Sequence, residues 1–154
     1  MSTLATVRSA WLTNVWQNAS VRALTDNIYA YNVTKESEKE VRKFFAEGAV
    51  NAIFYTVKKA QQLMLGNQVR QTFTVTISYY LDADPSSDNY NTLLDAFETI
   101  DSIVVSNLSS RWGATVDYYT TQTGPVDPSQ QDLDGRPVWV GEYVYQGIKT
   151  TNLV

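Results

Sequence analysis

Residues 71–81 read QTFTVTISYYL, and this stretch decides the fold of the chain. Apolar and aromatic residues alternate with threonine and serine, the period of two that is typical of a β-strand with one buried and one polar face. The alternation places Phe73, Val75, Ile77 and Tyr79 on the same side. We therefore predict a half-buried strand that needs an apolar layer to cover it.

The pattern becomes helical directly after this strand. Residues 82–91, DADPSSDNYN, contain a strand-breaking proline, and the side chains of Ser86, Ser87 and Asp88 can accept hydrogen bonds at a helix start. Apolar residues then recur at steps of three and four, which predicts a helix over 88–108 with one apolar stripe. Its members are Tyr90, Leu93, Leu94, Phe97, Ile100, Val104 and Leu108. We expect this stripe to pack on the 71–81 strand.

The rest of the chain also alternates between helical and strand patterns. The predicted elements are a helix at 3–17, a strand at 27–33, a helix at 34–48, and strands at 50–60, 112–121 and 138–150. Trp11 and Trp16 in the first helix are interpreted as core or subunit-contact residues. Residues 122–137 hold several prolines and glycines and little apolar content, so they are predicted to form a long polar loop.

These elements predict an α+β fold, a mostly antiparallel sheet with helices packed on it. Residues 27–121 have the βαββαβ order of a split-βαβ sandwich. Residues 1–26 add an N-terminal helix and linker, and the last strand follows the loop. With 154 residues, the chain is predicted to be one domain, 1–154, that buries roughly 70% of its unfolded surface.

Two missing residue types exclude several classes of chemistry. The sequence contains no Cys and no His, which rules out Ser-His-Asp and Cys-His catalysis and histidine- or cysteine-based metal sites. Phosphate-binding and nucleophile-elbow motifs are also absent. We therefore predict a protein that is not an enzyme and uses no cofactor or metal. No signal segment or membrane span is predicted, so a soluble, unprocessed chain is expected.

Charge is unevenly distributed along the chain. The net charge is −4, but residues 1–60 carry eight basic and five acidic side chains, whereas the remainder carries four basic and eleven acidic ones. Opposite charges on different surfaces would let copies join head to tail. The alternative is that the charges simply follow solvent exposure.

Other interpretations of the motifs fit less well. Asp82, Asp84 and Asp88 are spaced like the start of a calcium loop, but the positions that require Gly and Glu hold Ser87 and Leu93. The acids lie in predicted turns and on exposed helical positions, which does not favour a two-carboxylate hydrolase. The βαββαβ order also fits an RNA-recognition module, although its glycine-containing aromatic signature is missing.

The Thr-rich strand after an arginine (Arg70-Gln-Thr-Phe-Thr-Val-Thr-Ile), the Asp-rich break, the helix DNYNTLLDAFETID and a final strand after a polar segment resemble a known family. They are similar to the tail terminator, or tail completion, proteins of long-tailed bacteriophages. The resemblance covers about residues 27–149. Another neck protein, a head-to-tail connector or a tail-tube protein remains an alternative.

The resemblance implies a structural virion protein that is assembled in the host cytoplasm and located in the tail or neck. Proteins of this family form a six-subunit ring that caps the tail tube, stops its polymerisation and joins it to the head connector. The implied partners are other copies of the chain, the tube protein and the connector protein. DNA passes through the ring only in transit, and no membrane is involved.

A closed ring joins two different patches of each subunit. Loop length and charge make the 122–137 segment and the basic helix at 34–48 the candidate patches. The candidate interface residues are Lys39, Arg42, Lys43, Asp127, Asp132, Asp134 and Arg136.

Overall fold

The computed structural model describes residues 1–30, 50–83, 88–123, 128–133 and 135–153. The helices are α1 (Leu4–Trp11), α2 (Ala19–Arg22) and α3 (Asn89–Ile103). Two π-helical segments, Leu12–Trp16 and Val104–Leu108, continue α1 and α3. The strands are β1 (Ile28–Ala30), β2 (Asn51–Met64), β3 (Gln68–Asp82), β4 (Tyr118–Thr123), β5 (Ser129–Leu133) and β6 (Arg136–Asn152).

Within these ranges the strands form one six-stranded sheet in the order β1-β2-β3-β6-β4, with β5 also paired to β6. β1 is parallel to β2, and the other pairs are antiparallel. The predicted α+β class is confirmed. The strand order differs from that of a split-βαβ unit, because β1 lies directly beside β2 with no strand between them, and β4 lies beside β6 at the other end of the sheet. The predicted helix at 34–48 lies outside the described residues.

β3 is the central strand and follows the predicted alternation without interruption. Every second residue from Val69 to Leu81 is buried, and the residues between them are half-buried. β3 pairs with β2 from Gln68 to Leu81 and with β6 over its whole length. A shift by one residue would turn the apolar side chains to the opposite face, so the alternation fixes the register.

The helices pack on the apolar face of β3 and β6. The predicted stripe of α3 is confirmed for five of its seven residues: Leu93, Phe97 and Ile100 are fully buried, as are Val104 and Leu108 in the π-helical continuation, whereas Tyr90 and Leu94 are half-buried. The Phe97 ring lies 5.7 Å from the Tyr143 ring of β6 and 6.4 Å from the Tyr79 ring of β3. The start of α3 differs from expectation, because the Asp88 carboxylate accepts a hydrogen bond from Asn91 Nδ2 instead of capping the backbone.

A tryptophan cluster joins α1 to the sheet. Trp11, Trp16 and Trp112 are each no more than 1% exposed, so the two N-terminal tryptophans belong to the core. Trp11 meets Trp112 edge to face at 5.2 Å, and Trp16 stacks on Tyr55 at 4.7 Å. Both arrangements suit the quadrupoles of aromatic rings.

Two sequence predictions in the second half of the chain are wrong in part. Most of the described residues of 122–137 lie in strands, since β4 reaches Thr123, β5 covers Ser129–Leu133 and β6 begins at Arg136. The Asp-Gly dipeptide favours a hairpin turn, and a polar strand is tolerated because β5 lies at the sheet margin. The strand predicted from 112 starts only at Tyr118, because Trp112 and Ala114 adopt positive φ angles of 47° and 66°.

Gly147 of β6 lets the tryptophan cluster approach the sheet. A Cβ atom at this position would lie 2.5 Å from the Trp112 ring and 2.8 Å from Val116 Cγ1. We predict that Gly147→Ala lowers the free energy of unfolding by about 1–3 kcal/mol, because the buried ring has no space into which it can move. Gln146→Ala, on the face of the sheet opposite the tryptophan cluster, should change the free energy of unfolding by about 0.5 kcal/mol or less. Equal urea midpoints for the two variants would contradict this packing.

Tyr79 makes the fold sensitive to high pH. Its side chain is 2% exposed, its hydroxyl donates to Asn51 Oδ1 at 2.7 Å, and burial raises its pKa to about 12. An unfolded chain loses this proton near pH 10, whereas the folded chain holds it to about pH 12. The stabilisation is therefore complete below pH 10 and is lost as the pH rises through 12.

We predict that stability falls across this range and falls less steeply in Tyr79→Phe. Near neutral pH the free energy of unfolding of the variant should also be lower by about 1 kcal/mol, because the variant lacks the hydrogen bond to Asn51. Urea unfolding at a series of pH values measures both effects. An equally steep decline in the variant would show that Tyr79 does not cause it.

Candidate interaction surfaces

Arg136 and Asp82 hold three strands together. Arg136, at the start of β6, contacts Asp82, at the end of β3, through Nε–Oδ1 at 2.9 Å and Nη2–Oδ2 at 3.2 Å. Asp82 Oδ2 also accepts a hydrogen bond from the Val50 backbone N–H, just before β2, at 2.9 Å. The two side chains are 32% and 25% exposed. The guanidinium predicted to lie at an interface is thus engaged within its own chain.

Asp132 has a local role in the β5–β6 turn. Its Oδ1 accepts a hydrogen bond from the Gly135 backbone N–H at 2.6 Å, and Gly135 has a φ of 88°. An Asp side chain that accepts from a backbone N–H a few residues further on is common turn chemistry, and the positive φ suits glycine. The other predicted interface residues, Lys39, Arg42, Lys43, Asp127 and Asp134, lie outside the described residues.

The polar face of β3 is a threonine-rich surface. Thr72, Thr74, Thr76 and Ser78 form its central row, and all four are half-buried. At one end a small apolar cluster interrupts it, in which Phe54 meets Tyr80 edge to face at 5.7 Å. Next to that cluster lies a depression of about 240 Å³. Its lining residues are Phe54, Thr56, Lys58, Thr76, Ser78, Tyr80 and Glu142.

The helical layer carries an acidic groove between α2 and α3. The groove has a volume of about 420 Å³ and includes Ser20 of α2 and Ile103 at the end of α3. Asp95 and Glu98 are exposed, and both point into it, with Thr99 and Ser102 completing the lining. Two adjacent carboxylates on one helix face form a surface that attracts a basic partner.

The β2–β3 hairpin extends further than the sequence pattern predicted. β2 was expected to end at residue 60 but runs to Met64, and its residues from Lys58 onward are exposed. At the turn, Leu63 is 71% and Leu65 97% exposed. The available signal was the dipeptide Gly66-Asn67, whose two residues adopt positive φ angles of 80° and 56° in the turn.

Two features are absent from the part of the chain that the structure describes. Across the described ranges, no three His, Cys, Asp or Glu side chains form a group that would hold a metal ion. No helix within them has the length and apolar character needed to cross a membrane.

The ion pair at the strand ends predicts a measurable loss of stability. Arg136→Ala should lower the free energy of unfolding by about 1–2 kcal/mol, because it leaves Asp82 partly buried without its cation. Lys149→Ala is the matched control, since Lys149 pairs with Asp117 through a single 3.3 Å contact, where Arg136 makes two shorter ones, and should contribute less than about 1 kcal/mol. Chemical denaturation compares the two variants. A larger loss for Lys149→Ala would contradict this ranking.

Comparison with known proteins identifies no family. No protein-family model matches the chain, and no curated protein matches it. A solved structure whose name states no function is similar over 94% of this chain and 95% of its own, with 13% sequence identity and a TM-score of 0.49. A likeness at this level carries no argument about function.

Proposed function

We propose that this chain is a structural virion protein similar to a phage tail terminator. Copies of it form a ring that caps the tail tube, stops its polymerisation and joins the tail to the head connector. The alternative within this class is another neck, connector or tail-tube protein. The resemblance of the sequence motivates the proposal, and the surface of the folded chain supports it.

The acidic groove formed by Asp95 and Glu98 is the observation that carries the proposal. A ring requires two different patches that meet between neighbours. The groove supplies an acidic patch on the helical layer, while most basic residues belong to the first 60 positions. We assign the complementary patch to Lys39, Arg42 and Lys43 on the basis of sequence alone.

The RNA-module alternative is disfavoured by the position of the aromatic residues. Base stacking needs exposed rings on the central strands. Phe73 is fully buried and Tyr79 is 2% exposed, both beneath the helices. The opposite face of the same strand carries Thr72, Thr74, Thr76 and Ser78, and Tyr80 at its end packs edge to face against Phe54.

The proposal predicts a ring in solution or on tube ends. Light scattering over a concentration and salt series, with negative-stain images, should reveal a species of about six copies with an open centre. If the free chain forms no ring, the same images of its mixture with tail tubes should show it at tube ends. Failure to form rings and to bind tubes would contradict the proposal, as would binding to single-stranded RNA alone.

A charge swap tests the two patches. Asp95→Lys with Glu98→Lys should abolish ring formation, and so should Arg42→Glu with Lys43→Glu, because each change places like charges at the contact. The four substitutions together should restore it. Asp26→Lys, which changes an exposed acid outside the groove, is the control and should leave assembly intact. If only the basic-patch variant assembled normally, the assignment of the helix would be wrong and the groove would need another partner.

A further inference from the structure

β2 has an open edge, which we define as Lys58–Met64. On one side these residues pair with β3, from Lys58 opposite Thr74 to Met64 opposite Gln68. On the other side the described residues of β1, Ile28–Ala30, pair with Ile53–Tyr55. No other strand in the described ranges lies beside the open edge, and all seven of its side chains are exposed. Its outward N–H and C=O groups are therefore placed to pair with another strand.

The outer part of the open edge, from residue 60 to residue 64, lacks the features that normally prevent such pairing. Soluble proteins protect edge strands with prolines, bulges or charges along the strand. Here the pairing with β3 is regular, without a shift, and residues Lys58–Met64 contain no proline. The charges are confined to Lys58 and Lys59 at the inner end, and the outer end carries Leu63 and Met64. An uncharged, exposed strand end of this kind requires a covering partner.

The edge is complementary to a second copy of itself. If two edges pair antiparallel about Gln61, then Lys59 lies opposite Leu63 of the other copy and Lys58 lies opposite Met64. No lysine faces another lysine, and the lysine stems cover the apolar side chains while their ammonium groups reach water. Residues opposite each other also project from the same face of the joined sheet.

We propose that two copies of this chain pair through Lys58–Met64 as a two-fold dimer with Gln61 at its axis. This contact uses the same surface on both copies, so it closes at two and cannot grow. It differs from the contacts of the proposed ring, which join unlike patches, and it does not depend on them. The dimer forms between copies of the chain that are not assembled into the ring.

Single cysteines test the two-fold axis directly, because the natural chain has none. Gln61→Cys places two thiols opposite each other, at a separation that permits a disulfide. Mild oxidation should therefore convert most of this variant to a covalent dimer. Leu65→Cys is the control, since residue 65 is 97% exposed in the turn but lies outside the paired segment. Equal or faster cross-linking of Leu65→Cys would indicate random collision and overturn the proposal.

Charge variants at residue 63 test the register. Leu63→Lys places a lysine opposite Lys59 at two symmetric positions and should weaken the dimer by about tenfold. Leu63→Glu places opposite charges there and should dimerise more tightly than Leu63→Lys by a similar factor or more. Leu65→Lys and Leu65→Glu should both behave like the parent chain.

Dimerisation is measured by analytical ultracentrifugation over a concentration series, with twice the chain mass expected for the parent. A parent chain that is monomeric throughout would refute the dimer. Equal weakening by Leu63→Lys and Leu63→Glu would refute this register and point to simple contact between apolar tips. Because the ring is assayed by separate groove variants, either proposal can fail while the other stands.

Discussion

The uninterrupted alternation of β3 is the constraint on which the rest of the structure depends. β3 pairs on both sides along nearly its whole length, so its register sets that of β2 and β6. Its buried side chains, from Val69 to Leu81, define the face that the helices must cover. A strand bonded on both sides cannot slip by one residue without exposing this entire apolar set. The sheet and the helical layer are therefore specified together.

Close contact between helices and sheet explains the small residues of β6. Gly141 and Gly147 lie beneath Phe97 and Trp112, where a larger residue would meet an aromatic ring. Burial of several large rings supplies much of the hydrophobic stabilisation, since each removes about 150–250 Å² from water. The cluster also ties α1 to the second half of the chain, because Trp11 contacts both Trp112 and Tyr145.

The helical layer and the open edge of the sheet differ in charge, and each proposal uses one of these two surfaces. The helical layer carries the acidic groove at Asp95 and Glu98. The open edge of β2 contains no acid and ends in the exposed Leu63 and Met64. A ring would use charge on the helical layer, whereas the dimer would use backbone pairing at the sheet edge. Two separate surfaces thus permit two modes of self-association.

The sequence by itself determined the α+β class, the half-buried β3 and the apolar stripe of α3, because these depend on local periodicity. It also identified Trp11 and Trp16 as core or contact residues. Only the tertiary structure decided that β1 lies beside β2, that β5 is a strand and that Arg136 pairs with Asp82. The sequence also did not predict the open edge at Lys58–Met64. These features depend on which distant segments become neighbours, and no local pattern encodes that choice.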